Sequence, residues 1–289
     1  MKKRLAGDEA IEKKGWWPAH RWLVWRRLSQ LGVLGLFLLG PAFDVWLIQG
    51  NLSASLFLDT LPMTDPLLFA QLLATSGMPA TQAMLGFVVV VALYGLLGGR
   101  TFCAWVCPVN PIADLAAWMR RRFGIGGGWR GDRRIRHAVL VVVVATAGLS
   151  GLMVWEWINP MSLLHRGLIF GVWSGWLAVV GIFLFDLILS PHGWCGRLCP
   201  TGAVYALLGR RTPLAVSAVR RDACTDCRAC HQVCPEAAVI DPALKGADKG
   251  VGPRITGMDC TRCGRCIDVC PDDVFEFDFH LPNISRVVP

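Results

Sequence analysis

Charged residues are scarce in this chain of 289 residues: Asp, Glu, Lys and Arg together make up 17% of it, whereas 54% is hydrophobic. About a quarter of an ordinary soluble domain is charged, so the composition argues against a soluble protein. The 29 Lys and Arg exceed the 21 Asp and Glu, which gives a formal net charge of +8. Nucleic-acid binding is not favoured, because the chain has no basic recognition helix or zinc-finger spacing. A membrane protein with cationic loops fits the composition.

Lys and Arg are absent from residues 49–79, and only Arg166 lies between residues 156 and 166. They cluster instead in the first 27 residues, between the second and third apolar runs, and after the fourth. Each apolar run is close to the 20 residues that a helix needs to cross a bilayer. The four predicted spans are 28–48, 80–97, 138–155 and 167–189. Because cationic loops stay in the cytoplasm, both termini are expected on the cytoplasmic side of a bacterial inner membrane.

No histidine lies inside the predicted spans, which argues against a membrane haem b held by His ligands. Polar residues at the span ends are candidates for a quinol site, since quinol oxidation releases protons that a side chain must accept. Asp44, Glu156 and His165 lie at the outer ends, and Asp186 and His192 lie at the inner end, in the better position relative to the cysteines. For each residue the alternative is an interfacial polar group without a redox role.

Two short cysteine motifs follow the second and fourth spans: CAWVCP at 103–108 and CGRLCP at 195–200. Each follows two spans and precedes a short predicted helix that ends in arginines. The membrane domain, residues 28–211, therefore reads as two parallel repeats. Residues 1–27 are predicted to form a solvated basic arm in the cytoplasm.

The remaining eight of the twelve cysteines form two CxxCxxCxxxCP motifs in a small domain over residues 212–289. This is the spacing of bacterial two-cluster ferredoxins, in which the fourth cysteine of each motif binds the other cluster. The sequence thus predicts an α+β domain with two [4Fe–4S] clusters. The first cluster is assigned to Cys224, Cys227, Cys230 and Cys270. The second is assigned to Cys260, Cys263, Cys266 and Cys234. The apolar stretch after each motif is expected to form a strand over a cluster.

The two CxxxCP motifs supply four more thiols at one cytoplasmic depth: Cys103, Cys107, Cys195 and Cys199. Four thiolates are what one further iron–sulfur cluster or one soft metal ion requires. A thiol–disulfide redox pair and structural cysteines at packed helix ends are the alternatives. The spacing does not decide among the three.

Four spans, two CxxxCP motifs and the double ferredoxin motif together resemble the NapH family of membrane polyferredoxins, over essentially the whole chain. The resemblance implies oxidation of membrane quinol, with electrons passed toward a periplasmic nitrate reductase. It also implies two partners: a periplasmic ferredoxin-like subunit and a membrane-anchored multihaem cytochrome c. Related polyferredoxins serve methylamine dehydrogenase maturation, nitrous oxide reduction and copper-oxidase assembly. Electron donation to the maturation or assembly of such a periplasmic metalloenzyme is therefore the alternative.

Overall fold

The structure is a computed structural model that describes residues 5–75, 77–129 and 131–280. The backbone separates into two compact units. The first unit consists of Met1–Leu28, Tyr94–Trp105 and Ala206–Pro289, and the second of Ser29–Leu93 and Val106–Tyr205. The described part of the chain is mostly helical.

The α-helices in chain order are α1 (Asp8–Lys14), α2 (Trp16–Phe43), α3 (Pro66–Ala74), α4 (Thr81–Leu97), α5 (Thr101–Trp105), α6 (Val109–Phe123), α7 (Arg134–Ser150), α8 (Val154–Ile158), α9 (Pro160–Phe170), α10 (Trp173–Leu184), α11 (Pro200–Leu208), α12 (Ala229–Val233), α13 (Asp241–Lys245) and α14 (Arg265–Val269). The strands are β1 (Ile48–Gly50), β2 (Ala54–Phe57), β3 (Leu61–Thr64), β4 (Leu214–Ser217) and β5 (Glu276–Phe279). Two further five-residue segments, Phe185–Leu189 and Trp194–Leu198, are π-helical.

The first unit is built on an antiparallel pair of strands, β4 and β5, in which Leu214 faces Phe279. Val216, Ile240, Ile267 and Phe275 belong to its buried core, which also includes cysteines of the ferredoxin motifs. The strand expected after Cys270 is present as β5. The prediction of a strand after Cys234 is wrong, because that stretch forms a 3₁₀ turn that ends one residue before α13.

The N-terminal segment packs on the ferredoxin domain, unlike the solvated arm that its charge suggests. Lys14 Nζ donates a hydrogen bond to the carbonyl oxygen of Ile267 at 2.9 Å, and the backbone N–H of Leu23 donates to the Asp268 carboxylate at 2.9 Å. Gly264, at φ 72°, lies so close to the ring of Trp22 that a Cβ there would come within 2.6 Å of Trp22 Cγ. Composition alone cannot reveal this docking, because it depends on carboxylates that lie about 250 residues away in sequence.

In the second unit, the end of α2 is followed by a three-stranded antiparallel sheet in the order β1–β2–β3. Asp65 follows β3 and caps α3, its carboxylate accepting hydrogen bonds from the N–H groups of Leu67 and Leu68. Asn159 caps α9 in the same way, accepting from the N–H of Met161. In both cases proline is the first helical residue, where its missing N–H costs nothing. The two predicted repeats thus each contain a polar cap followed by proline and a short helix.

Helix α2 is the one helix within the described ranges that is long and apolar enough by itself to cross a membrane. Three shorter apolar helices span Thr81–Leu97, Ile135–Ser150 and Trp173–Leu189. The predicted span 80–97 coincides with α4, but the bounds of the others differ. The predicted span 28–48 starts inside α2 but runs beyond the end of that helix at Phe43.

Two of the span predictions cross real helix ends. Helix α7 stops at Ser150, before the left-handed Gly151 (φ 69°), so residues 151–155 do not continue the third span. Helix α9 stops before Gly171 (φ 67°), so the run 167–189 is divided between α9 and α10. Glycine at these positions adopts the left-handed conformation that ends a helix without a Cβ penalty. Hydropathy does not register such a break, because glycine is nearly neutral on an apolar scale.

Candidate iron–sulfur centres

Four thiols of the first unit line one cavity: Cys224, Cys227, Cys230 and Cys270. The cavity contains about 360 Å³ of space free of protein atoms, part of it open to solvent. Cys230 lies on α12, and the preceding Arg228 has a left-handed backbone (φ 58°) that turns the CxxC loop around the cavity. Cys270 reaches it from beyond α14. The exchange of the fourth cysteine between the two motifs is therefore built into the backbone.

The other four ferredoxin thiols line a second cavity: Cys234, Cys260, Cys263 and Cys266. This cavity contains about 370 Å³. Left-handed Gly264 (φ 72°) turns the second loop into α14, as Arg228 does in the first motif. The structure thus brings the eight cysteines together in the two groups that the spacing predicts.

The chemistry of these thiols fits an iron–sulfur cluster. Burial, together with the neighbouring Cys270 and Cys227 thiols, raises the pKa of Cys230 to about 12. Burial and the surrounding thiols also raise the pKa of Cys266 well above its ordinary value. Without a cation these thiols would stay protonated at neutral pH, whereas bound iron stabilises the thiolate form. Among the described residues, no three His, Cys, Asp or Glu side chains converge on a single-ion site, and the thiols instead surround cavities.

Positive charge is concentrated around the second cavity. Burial alone would raise the pKa of Cys263, but Arg265 and Arg26 outweigh it and leave that pKa lowered. Arg262, in the same loop, lowers the pKa of Cys260, although burial leaves that pKa raised. These arginines were not identified from the sequence, where they read only as loop charges.

The first cavity has a histidine at its rim. His231 Nδ1 lies 3.3 Å from Cys230 Sγ, and His231 Nε2 lies 2.8 Å from Asp241 Oδ1. The loop in front of it is exposed, including Cys227. A soluble redox partner could therefore approach the first cavity more closely than the buried loop of the second.

The four CxxxCP cysteines are all partly buried. Cys103 lies on α5 in the first unit, and Cys107, Cys195 and Cys199 belong to the second unit. Cys199 packs against a buried cluster that contains Leu67, Val143 and Trp155. Whether the four thiols share one metal or cluster stays a prediction.

The outer quinol-site candidate Glu156 is the centre of a buried polar network in the second unit. The Ser53 hydroxyl donates to Glu156 Oε1 at 2.8 Å, and the Ser162 hydroxyl donates to Oε2 at 2.9 Å. Asn159 Nδ2 donates to the Ser53 hydroxyl at 3.3 Å. His165, on the same helix as Ser162, stacks edge-on against Phe37, and its Nε2 is buried without a hydrogen-bond partner. Burial, reinforced by the Arg166 charge, lowers the pKa of His165.

The inner candidates have different partners. Asp186 Oδ1 accepts a hydrogen bond from the N–H of Trp194 at 3.0 Å. His192 Nδ1 lies 4.0 Å from Asp114 Oδ1. Nearby, Arg120 donates to the carbonyl oxygen of Leu187. These four candidates therefore fall into two groups of contacts, one around Glu156 and one at the end of the fourth apolar helix.

Sequence reasoning missed Asp65, a buried carboxyl beside the Glu156 network. Its N–H donates to the carbonyl oxygen of Ser53 at 2.8 Å. Burial raises the pKa of Asp65 to about 6, although the capping N–H groups and the Tyr205 hydroxyl lower it. The Asp-Pro dipeptide before an apolar run is a helix-start signal that could have located the cap, but not its burial.

Comparison with known families agrees with these centres. A family described as "4Fe-4S binding domain" matches the chain twice, at residues 80–126 and 170–220, and each match contains one CxxxCP motif. A "4Fe-4S dicluster domain" matches residues 218–271, which contain both ferredoxin motifs.

Similar proteins cover nearly the whole chain. The chain is 50% identical over 274 residues to the ferredoxin-type protein NapH of Escherichia coli, with 95% of each chain covered. It is 46% identical to NapH of Haemophilus influenzae, again with 95% of each covered. It is also 45% identical to the methylamine utilization ferredoxin-type protein MauN of Methylorubrum extorquens, covering 97% of this chain and 96% of MauN. No solved structure matches the chain.

Proposed function

The chain belongs to the NapH family of ferredoxin-type proteins, and from that premise we propose that it oxidises membrane quinol and passes the electrons toward a periplasmic nitrate reductase. That it is an iron–sulfur electron-transfer protein follows from the family and its 4Fe-4S domains. The observation that carries the proposal is the pair of cavities, each lined by four thiols. Clusters held there supply one-electron chemistry.

The proposed location is the bacterial inner membrane, crossed four times, with both termini and the ferredoxin domain in the cytoplasm. Support comes from α2, from the three shorter apolar helices and from the alternation of Lys- and Arg-rich loops. Helices α3 and α8 then re-enter the membrane domain from the outer side, since both contribute to the buried cluster beside Cys199. Backbone that is neither strand nor full span is tolerated at such depth when protein covers it.

Within this scheme Glu156 is the proton acceptor for quinol. Oxidation of one quinol to quinone releases two electrons and two protons. Glu156 would accept each proton in turn and release it to water, and clusters held by the thiols would supply one-electron acceptors. Ser53 and Ser162 orient both oxygens of the Glu156 carboxylate. Next to it in sequence, Trp155 contacts the residues around Cys199. A proton acceptor and a redox-active motif are thus neighbours in the second unit.

The CxxxCP cysteines are proposed to hold a third cluster. The double match of a 4Fe-4S binding domain to the segments that contain them supports this assignment over a structural role. Purified protein should then hold about twelve iron atoms, against about eight for two clusters alone. A Cys103→Ser, Cys199→Ser double variant should lose about four of them. An unchanged iron content in that variant would argue against the third cluster.

The test of quinol oxidation is anaerobic mixing of the intact oxidised protein with a menaquinol analogue, followed by EPR spectroscopy. At least one cluster should become reduced. Complete absence of a reduced-cluster signal, in protein whose clusters dithionite does reduce, would rule out direct quinol oxidation. Proposed downstream partners are a periplasmic ferredoxin-like subunit and a multihaem cytochrome c.

The similarity to MauN supports a second candidate function: electron donation during maturation of a periplasmic metalloenzyme such as methylamine dehydrogenase. The discriminating experiment is complementation. The gene is introduced into a strain that lacks its own NapH and into one that lacks MauN. Restored nitrate reduction alone supports the first function, and restored methylamine growth alone supports the second.

A further inference from the structure

The second ferredoxin loop contains a buried arginine with an unusual set of partners. Arg262, between Cys260 and Cys263, is 3% exposed. Its Nε donates to the carbonyl oxygen of Leu214 at 2.7 Å. The amino groups donate to three further acceptors, which are the carbonyl oxygens of Gly209 and Cys260 and the Thr212 hydroxyl. Gly98 leaves the room for this side chain, since a Cβ there would collide with Arg262 Cδ.

All of these acceptors are neutral. A guanidinium keeps its proton in proteins, so the first unit contains a buried positive charge whose described hydrogen bonds include no carboxylate. Such a charge is costly unless an anion compensates it. The thiolates of the second cavity are the anionic groups next to it, because Arg262 follows Cys260 by two residues and precedes Cys263 by one.

Other buried arginines of the first unit act on the same cavity. Arg26 and Arg265 act electrostatically on Cys263, and Arg100 acts on Cys260. Among the cations near the first cavity, Lys13 pairs with Asp272 and Lys245 with Asp226, while Arg228 lines the cavity from an exposed position. The two cavities therefore differ in charge environment, and positive charge near a cluster favours its more negative, reduced form.

A tryptophan of the first CxxxCP motif contacts the same loop. Trp105, between Cys103 and Cys107, donates from its indole Nε1 to the carbonyl oxygen of Arg262 at 3.1 Å. Its ring lies edge-on to Trp22, with 6.1 Å between the centroids. Trp22 in turn packs against Phe277 of β5. The CAWVCP motif is thus fixed to the peptide that carries the buried charge.

We propose that Arg262 sets the reduction potential of the second cluster, and that the Trp105–Arg262 contact makes this cluster the one that exchanges electrons with the first CxxxCP motif. Arg262 is a positioning residue in this scheme: it transfers no electron itself but stabilises the reduced cluster. Clusters held in the two cavities would exchange one electron at a time. Trp105 contacts the loop of the second cavity, and the first cavity lies beside the exposed loop. The inference rests on the proposed electron-transfer function but not on quinol as the donor.

The test is a mediator-controlled redox titration of the intact protein in detergent, followed by EPR spectroscopy and iron analysis. Arg262→Gln should shift one cluster to a lower potential and leave the other unchanged. The shifted signal should be the one that Cys263→Ser removes. Arg262→Lys, which keeps the charge, should retain most of the wild-type potential. Because the readout is a potential, it remains informative even if quinol proves not to be the donor.

Arg254→Gln is the matched control. Arg254 also binds the segment that Arg262 holds, through the carbonyl oxygens of Thr212 and Pro213, but it interacts with the Asp278 carboxylate. It should therefore leave both potentials unchanged. Equal shifts in the Arg262→Gln and Arg254→Gln proteins, a shift of both clusters, or no shift would overturn the proposal. Loss of about four iron atoms in Arg262→Gln that Arg262→Lys restores would support charge compensation, whereas the same loss in both variants would contradict it.

The second half of the proposal is tested with Trp105→Phe, which keeps an aromatic ring and removes the indole N–H. Reduction of the second cluster by the proposed donor, tested with the menaquinol analogue, should slow. The potential of the cluster and its reduction by dithionite should stay unchanged. An unaltered rate with the donor would refute the role of this contact. Trp25→Phe, at an exposed position of α2, serves as the control.

Discussion

The indole Nε1 of Trp155 donates a hydrogen bond to the hydroxyl of Thr201 across 3.2 Å, inside the second unit. The sequence places these residues at opposite ends of a membrane span, because residue 155 ends the third apolar run outside and Cys199-Pro200 follows the fourth run inside. The contact exists because α7 stops at Ser150 and α8 folds back. A tryptophan N–H thus makes a contact at each CxxxCP motif: Trp155 donates to the residue that follows the second motif, and Trp105 of the first motif donates to Arg262.

Trp155→Phe should destabilise the protein by about 1–3 kcal/mol, because the buried Thr201 hydroxyl loses a partner and the smaller ring leaves a cavity. The readouts are thermal unfolding in detergent and the rate at which Cys199 reacts with a maleimide, which should rise. Trp157→Phe is the control, since Trp157 is 72% exposed. A Cys199 reaction rate equal to that of the wild type would mean that the hydrogen bond does not hold this region together.

The cysteine chemistry of the first unit could be predicted from sequence because the spacing itself encodes geometry. A CxxCxxC loop places three thiols around one centre, and in this spacing the fourth cysteine of each motif, Cys234 or Cys270, serves the other centre. The helix boundaries of the second unit were harder to predict from the sequence. Residue 151 ends a helix, although it lies inside the predicted span 138–155. Asp65 starts a helix with buried residues, although its position looks like an ordinary outer-loop residue. Such re-entry depends on tertiary packing, which hydropathy does not report.

The docking of the N-terminal segment was missed for a related reason. The positive charges of Lys13 and Lys14 indicated a cytoplasmic arm, but Asp272 and Asp273 beyond the second motif are their actual partners, both at 2.9 Å. A one-dimensional pattern shows the sign of a charge and not which distant charge neutralises it. The same limit concealed Arg26, which is buried beside the second cavity.

Glu156→Gln should slow reduction of the clusters by quinol about a hundredfold or more, the usual contribution of a positioned general base. Reduction by dithionite should remain unchanged, because it needs no proton acceptor at that site. Stopped-flow absorbance of the clusters measures both rates. Asp44→Asn is the matched control, since Asp44 is an exposed carboxylate at the end of α2 whose side chain accepts a hydrogen bond from Trp46. Equal quinol rates in the wild type and Glu156→Gln would remove Glu156 from the mechanism.

Asp65 should make the stability of the second unit depend on pH. Its pKa is about 6 in the folded protein, against an ordinary value of 3.8, chiefly because of burial. The folded state therefore binds the proton more tightly than the unfolded state between about pH 4 and pH 6. As the pH rises through this window, the group lowers the free energy of unfolding, by at most about 3 kcal/mol. Acidification from pH 7 to pH 4 restores that contribution.

The measurement is chemical unfolding in detergent at several pH values, for the wild type and for Asp65→Asn. The difference in unfolding free energy between the two should vary across pH 4 to 6 and level off on either side. The titratable groups that face Asp65 are Tyr205 and Glu156, and Glu156→Gln in the same background separates its influence. Asp59→Asn, on an exposed turn, should show no such dependence. A pH-independent difference for Asp65→Asn would show that the carboxyl does not titrate in that window.

The exchange of the fourth cysteine predicts a specific pattern of iron loss. If Cys234 binds the cluster of the second triple, Cys234→Ser and Cys260→Ser damage the same cluster, and the double variant should lose no more than about four iron atoms. Cys234→Ser combined with Cys224→Ser should damage both clusters and lose about eight. Iron analysis and EPR of the wild type and the two double variants distinguish the two arrangements. If each motif kept its own fourth cysteine, the two double variants would exchange their outcomes, because Cys234 would then share a cluster with Cys224.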